Sequence, residues 1–509
     1  MSRLLVVLLS LVCGLLAAPS FAVVGGANGA VVMHATEILV KFRDSATSAD
    51  RGGVFAGAGV DERHRFRLVP GLTQVQLRPG RGRDAALQAL RANPAVVYAE
   101  PVYIVHAQAT PNDPRFSQLY GLHNTGQTGG VADADIDAPE AWDLQTGTRV
   151  TVAVIDSGVD YNHPDLGQNI WSNTGEIAGN NIDDDNNGYV DDIRGWDFAN
   201  NDNNPMDDNR HGTHVAGTIA ALGNNGVGVV GVNWRAAIMP LKFLTGSGSG
   251  TTANAIKAID YAAKMGARIS NNSWGGGGFS QALSDAIARA AAAGHLFVAA
   301  AGNAGANNDA TASYPANYPL DNIVSVAATD ASDQRASFSN YGATTVDLGA
   351  PGVAIMSTTP ANAYQSLSGT SMAAPHVSGV AALLLASDPA LSVAQLKDAI
   401  LKGVDPIPAL AGLTVTGGRL NAFNSLRNLK RITVTPADAS MPVGGSQQFA
   451  ASGGTAPYSW TLSNTSVGSI DSNGRFTAAN AGTSTVTATD STGLTGTATV
   501  AVVGMTITP

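Results

Sequence analysis

A serine hydroxyl becomes a useful nucleophile only when a neighbouring base takes its proton and a third group holds that base in place. Three stretches of this chain carry the residue types for such an arrangement. The first is Gly369-Thr370-Ser371-Met372-Ala373-Ala374-Pro375-His376-Val377-Ser378-Gly379, which runs on into Val380-Ala381-Ala382-Leu383-Leu384-Leu385. A run that is apolar on every side predicts a buried helix, and Pro375 predicts that its first turn lies here, where N–H groups have no helical partner anyway. Ser371 then stands at the positive end of a helix dipole, which favours a developing oxyanion; a serine in that place could equally be only a cap. The second stretch, Val150 to Ile155 followed by Asp156-Ser157-Gly158, predicts a central parallel strand with Asp156 at its carboxyl end, where open α/β sheets gather ligand-binding and catalytic groups. The third, His211-Gly212-Thr213-His214-Val215-Ala216-Gly217, predicts a closely packed helix that starts at His211. Singly, Asp156 could cap a turn and either histidine could be a satisfied core residue. Together, Asp, His and Ser follow one another in one of the chain orders known for hydrolytic triads.

In this order and context the three stretches resemble the signature motifs of the subtilisin-like serine proteases, across roughly residues 111–425. The resemblance implies that His211, the first histidine of its run, is the base and His214 is structural. Asp156 would orient the imidazole and Ser371 would be the nucleophile. It also points to Asn303, in Ala299-Ala300-Ala301-Gly302-Asn303-Ala304-Gly305, as the oxyanion-hole amide acting with the N–H of Ser371. Read without the family, Asn303 is an ordinary turn residue ahead of Gly305. The cleft would be lined by Ser273-Trp274-Gly275-Gly276 and by Ala301-Gly302, whose glycines leave peptide groups free to pair with an extended substrate. No acid is present there to select a basic side chain, so a broad preference for large apolar or aromatic residues before the cut is expected.

The elements that must position these residues can be read from the pattern. Strands are expected at Ala237–Leu241, Ala267–Ser270, 295–301 and Asn322–Ala327, alternating with helices at Asn254–Met265 and Gln281–Ala293. That alternation predicts an α/β domain, a parallel sheet covered by helices on both faces. The 509 residues suggest about two to four domains. A hydrophobic share of 44% excludes general disorder, and a net charge of -10 argues against nucleic acid or an anionic membrane as partner.

Met1-Ser2-Arg3, the apolar run Leu4 to Ala17 and Ala18-Pro19-Ser20-Phe21-Ala22 predict a secretory signal at residues 1–22, with a core too short to span a membrane. The one cysteine, Cys13, lies inside it, so the exported chain would hold no disulfide. Residues 23–110 contain expected strands at Glu37–Phe42, Leu72–Leu77 and Val96–Tyr103 and a helix at Asp84–Ala92, compatible with a small α+β unit. Between a signal and a catalytic domain at 111–428, that unit resembles the family's propeptide, which assists folding and inhibits the enzyme. Processing would fall in Val105 to Thr110.

Asp183, Asp184, Asp185, Asp191, Asp192, Asp197, Asp202, Asp207 and Asp208 set nine carboxylates against one positive residue, Arg194, a segment that repels itself unless cations bind. Asp183, Asp185, Asn187, Gly188 and Asp191 match the first half of an EF-hand loop; Arg194 stands where the closing glutamate would, so a complete EF-hand is excluded. A solvated acidic loop is the plainer reading. The family adds a thermitase-like cluster, Asp197, Asn200 and Asp202, and a site from Asp113, Asp165 and Asn225 with carbonyls of Leu222, Val227 and Val229. Hard oxygen donors favour structural Ca²⁺.

From residue 429 the composition shifts to Thr, Ser, Gly and Ala with short alternating strands, and Asn473-Gly474 is a hairpin signal. Residues 429–503 resemble a bacterial immunoglobulin-like sandwich, and 504–509 echo its start. Such modules serve as spacers or contact a polymer or cell surface. The expected partners are protein or peptide substrates and the chain's own propeptide, with the enzyme a monomer. Two other functions are partly compatible: a peptide ligase, which a serine nucleophile and open cleft disfavour, and a surface-binding protein with an inert protease fold, which the full set of catalytic residues disfavours.

Overall fold

The computed structural model describes residues 21–23, 32–78, 80–103, 110–429, 432–454, 456–490 and 494–504. Residues 1–20 of the expected signal, 105–109 of the processing linker and 505–509 of the expected repeat lie outside the described residues.

One compact unit runs from Ala107 to Leu429. Its centre is a nine-stranded sheet in the order Asp405–Pro406, Gly418–Arg419, Leu348–Pro351, Ile323–Thr329, Leu296–Ala300, Ile269–Asn272, Thr151–Asp156, Ala237–Lys242, Trp196–Asp197. Every pairing is parallel except at the short Asp405–Pro406 edge. The inner strands are buried on both faces, as their unbroken Val, Ile and Ala runs require. Strand order reverses around Thr151–Asp156, since the next two strands in sequence lie to one side of it and the later ones to the other. Asp156 therefore ends a strand at the topological switch point, where crevices open in such sheets.

Two cores flank the sheet. The larger surrounds the helix Thr370–Ser387, which is buried at nearly every position, and receives Val215, Ala216 and Ile219 from the helix His211–Ala220. The smaller lies under the helices Thr252–Lys264 and Gln281–Ala292.

Residues 32–103 form a β-α-β-β-α-β unit. Strands Val60–Arg65, Leu72–Leu77, Val32–Phe42 and Val96–Tyr103 pair antiparallel in that order. Helices Ser48–Ala58 and Arg83–Arg91 supply Val54, Phe55, Leu87 and Leu90 to its core. Ser48–Ala58 and Val60–Arg65 add to the elements expected from sequence. The last described segment is all strand. Asp438–Pro442, Thr495–Val503, Gly482–Thr489 and Ser459–Leu462 form one sheet, and Ser446–Gln448, Arg475–Ala478 and Gly468–Ile470 another, closing over Phe449, Phe476, Val486 and Val500. The expected turn is present between paired Ile470 and Phe476, with Gly474 at φ 81°.

Candidate active site

Asp156 leaves its strand fully buried. Its Oδ1 accepts the backbone N–H of Ser157 at 2.7 Å and the His211 Nδ1–H at 2.8 Å. His211 is the first residue of its helix, and the following residue has to be glycine, because a Cβ at position 212 would stand 2.1 Å from Gly158 O. Burial pulls the His211 pKa down, but the charge of Asp156 and its hydrogen bond outweigh that, and the imidazole lies above its ordinary value of 6.5.

The first turn of this helix is held by a residue whose role the sequence did not reveal. Asp207, read above as one of the self-repelling acids, accepts Ser157 Oγ–H at 2.9 Å, the N–H groups of Asn209, Arg210 and Thr213 at 2.9, 3.0 and 2.9 Å, and Thr213 Oγ1–H at 2.6 Å. It is an N-terminal cap set back in the preceding loop. Its sequence signal was an acid four residues ahead of the helix. His214 is buried and bridges Ile355 O and Gln365 O through Nε2, at 2.9 and 3.1 Å. Burial pushes its pKa down to about 4, so it is neutral.

Ser371 is the second residue of its helix, and Pro375 sits one turn further in than the sequence reading allowed. A proline inside a helix strips the donor from the carbonyl four residues earlier, here that of Ser371. Ser273 supplies the missing donor: its Oγ–H binds Ser371 O at 2.8 Å. In return the Ser371 Oγ–H donates to Ser273 O at 3.1 Å. Asn303 lies beside this turn. Its Oδ1 accepts Thr370 N–H at 2.8 Å and Thr370 Oγ1–H at 3.0 Å, and Thr370 Oγ1 accepts Gly302 N–H at 3.2 Å. With the oxygen engaged, the amide nitrogen is the free end. Thr370 is thus a second residue the sequence reading passed over, although it directly precedes the serine.

Two cavities share the wall Ser273 to Gly276. One, of about 430 Å³, is bordered by Ser371, Asn303, Gly302, Ala300 and Ser313. The other, of about 530 Å³, is bordered by His211, Phe243, Leu283 and Tyr314. No acid lines either. Ser273, Trp274, Gly275 and Gly302 border these cavities, whereas Ala301 does not. Side chains alternate at the end of a strand, so Ala300 and Gly302 border the cavity and Ala301 is fully buried, its N–H on Val326 O and its carbonyl on Asn308.

The acidic residues divide into several sets. Oxygens of Asp183, Asp185 and Glu176 lie within 4.8 Å of one another, and Glu176 is a member the sequence reading did not name. Asp191 turns away and takes the N–H groups of Gly179, Asn180 and Asn181. Asn187 donates to Asp185 and Asp192, and buried Asp192 also accepts the Tyr261 hydroxyl. Asp197 accepts both the N–H and the side-chain amide of Asn200, and it pairs with Asp202 through the backbone. Asp208 meets buried Lys242 at 2.6 Å. Much of the expected self-repulsion is therefore relieved by backbone amides, asparagines and a lysine from the neighbouring strand. Asp113 and Asp165 differ. Both are buried, Asp165 accepts Asn225 Nδ2–H at 2.8 Å and Val229 N–H at 2.8 Å, and Asp113 Oδ1 has no partner. Burial raises both carboxyls. An orphaned buried oxygen next to a second carboxylate fits a hard cation.

The subtilase family matches residues 147–423, and an intimin immunoglobulin-like domain matches residues 442–492. A thermophilic serine proteinase of Bacillus sp. (strain AK1) is 37% identical over 395 residues, covering 77% of this chain and 87% of that protein. Thermitase of Thermoactinomyces vulgaris is 40% identical over 319 residues, 62% of this chain and 99% of its own. Among solved structures, a protease of Pseudoalteromonas arctica PAMC 21717 superposes with a TM-score of 0.53 at 29% identity, covering 63% of this chain and 99% of that one. The strand-end aspartate, the helix-start histidine and the helix-start serine stand on the fold of these relatives, and the chain belongs to the subtilase family of serine peptidases.

Proposed function

We propose that the chain is a secreted, calcium-stabilised endopeptidase made as an inhibited proenzyme, and that Asp156, His211, Ser371 and Asn303 carry out the reaction. The observation that carries this reading is the Asp156–His211 pair at 2.8 Å, its aspartate fully buried and its imidazole opening on the same cleft wall, Ser273 to Gly276, as Ser371 and Asn303. His211 Nε2 takes the Ser371 proton as Oγ attacks the peptide carbonyl, which requires the hydroxyl to turn from Ser273 O. Asp156 holds the ring and stabilises the imidazolium. The negative oxygen receives the Ser371 N–H and the Asn303 amide, whose orientation Thr370 fixes. His211 then protonates the leaving amine, and water releases the acyl group by the same steps in reverse roles.

The cavity beside Ser371 is lined by no charged group, and most of its lining is glycine, alanine and serine with Trp274 at one wall, which supports acceptance of a large apolar residue before the cut. Asp113, Asp165 and Asn225, the group of Glu176, Asp183 and Asp185, and the loop of Asp197, Asn200 and Asp202 would hold Ca²⁺, which stabilises loops and takes no part in the chemistry. Residues 23–110 would serve as propeptide and inhibitor, and the immunoglobulin-like module as a spacer or surface contact. Hydrolysis of casein by wild type but not by Ser371→Ala tests the assignment; equal activity of the two proteins would sink it.

A further inference from the structure

The carbonyl of Ser371 is the one its own helix cannot satisfy, because Pro375 has no N–H to offer it. Ser273 Oγ–H takes it at 2.8 Å. That hydroxyl cannot turn elsewhere freely, since its oxygen already accepts Asn271 Nδ2–H at 2.8 Å. The Asn271 amide is fixed in turn by Ser378 Oγ–H on its Oδ1 at 2.9 Å. Ser378 lies on the same helix as Ser371, seven residues and so about two turns further on, facing the same strand. Asn271 and Ser378 are fully buried and Ser273 nearly so.

We infer that Ser378, Asn271 and Ser273 form a directed hydrogen-bond relay that clamps the backbone of the nucleophile, with Asn271 and Ser378 acting as positioning residues that never touch substrate. Each donor in the relay has one acceptor: Ser378 to Asn271, Asn271 to Ser273, Ser273 to Ser371 O. The relay fastens the serine helix at two points two turns apart, to Asn271 in the strand Ile269–Asn272 and to Ser273 just beyond its end, across the position where proline breaks the helical ladder. It also joins nucleophile and cleft, because Ser273 O is the acceptor of the resting Ser371 hydroxyl and Ser273 is a wall of both cavities. Loss of any link loosens Ser371 relative to His211 and Asn303 and slows acylation, while substrate contacts along Gly275 and Gly276 are unchanged.

The inference rests on Ser371 being the nucleophile, and its test separates the two claims. Mature enzyme is titrated with a sulfonyl fluoride, the modified residue is located by mass spectrometry, and kcat and KM are measured per titrated site for wild type, Ser378→Ala, Ser273→Ala and the double variant. Each single variant is expected to lower kcat about three- to tenfold, the loss of one buried hydrogen bond, with KM unchanged for Ser378→Ala, whose residue lies outside the cleft. In the Ser273→Ala background, Ser378→Ala is expected to cost nothing further, because the link it acts through is gone. Additive losses, or variants that lose only active fraction while per-site kcat holds at the wild-type value, overturn the relay. If the sulfonyl fluoride does not modify Ser371 in wild type, the nucleophile assignment fails and the relay falls with it.

Discussion

At the scale of single residues, the site works by opposing burial with charge. Burial alone would keep His211 neutral at low pH, and buried His214, which has no carboxylate on its ring, shows this with a pKa near 4. Asp156 reverses the balance for His211. A base works only when neutral, so kcat/KM is expected to rise with pH along an acid limb whose midpoint lies above 6.5. Asp156→Asn removes the raising influence and leaves burial, so the midpoint should move below that of wild type, with kcat lower by about 10⁴-fold as for other orienting aspartates. A pH–rate profile of both proteins checks this, and an unshifted midpoint in the variant contradicts it. Stability has the opposite sign: the pair contributes while His211 is charged, and that contribution is lost as pH rises through its raised pKa. Asp156, His211 and Ser371, the residues proposed here as the triad, stood out in the sequence because each sits in a run of distinctive types at an element's end. The positioning role of Thr370 did not, because the Asn303 side chain it holds is distant in sequence; that of Asp207 was masked because its one signal, an acid four residues ahead of the helix, lies within a run of other acids; and Ala301 was misplaced because a motif does not state which of two alternating neighbours faces the cleft.

At the scale of elements, the helix that starts at His211 is set by what precedes it. Asp207 accepts three backbone N–H groups and two hydroxyls around its first turn. Asp207→Ala strands these donors, and we expect a destabilisation of about 3 kcal/mol, since losing the cap on the N–H groups costs about 1 kcal/mol and each of the two buried hydroxyls left unsatisfied about as much again. Thermal unfolding of the Ser371→Ala proteins with and without the change, in which self-digestion is removed, reads it; coincident midpoints would contradict the capping role. Five of the nine strands of the central sheet were legible as apolar runs, their ends within two residues, whereas the short strands Trp196–Asp197, Leu348–Pro351, Asp405–Pro406 and Gly418–Arg419 were not. The helix Ser48–Ala58 was not, because Gly52, Gly53 and Gly57 lower its propensity and hide its apolar spacing. The signal present was at its ends: a capping box of Thr47 with Asp50, and Gly59 in the left-handed conformation at φ 68°. The serine helix ran the other way. Its apolar length was plain, while the place of Pro375 in it depended on Ser273, a residue far away in sequence.

At the scale of the whole molecule, a chain with one cysteine, inside the expected signal, must secure its loops by other means. On the proposed function a cation held by the buried pair Asp113 and Asp165, where Asp113 Oδ1 is without a partner, would be one such means, and binding to the folded state alone would add stability that grows with free calcium. A chelator is therefore expected to lower the thermal midpoint of wild type, and Asp113→Asn to shrink that difference, with kcat at low temperature unchanged; equal midpoints with and without chelator would contradict it. On the proposed function Ser371, activated by His211, cuts peptide bonds, including the one that frees the enzyme from its own pro-segment. The most direct measurement is intact mass of secreted wild type and Ser371→Ala, paired with casein hydrolysis in the presence of calcium. The account predicts that wild type has lost the segment before about residue 111 and degrades casein, while Ser371→Ala keeps the pro-segment and is inert. Equal processing of both proteins, with casein intact in each, would contradict it.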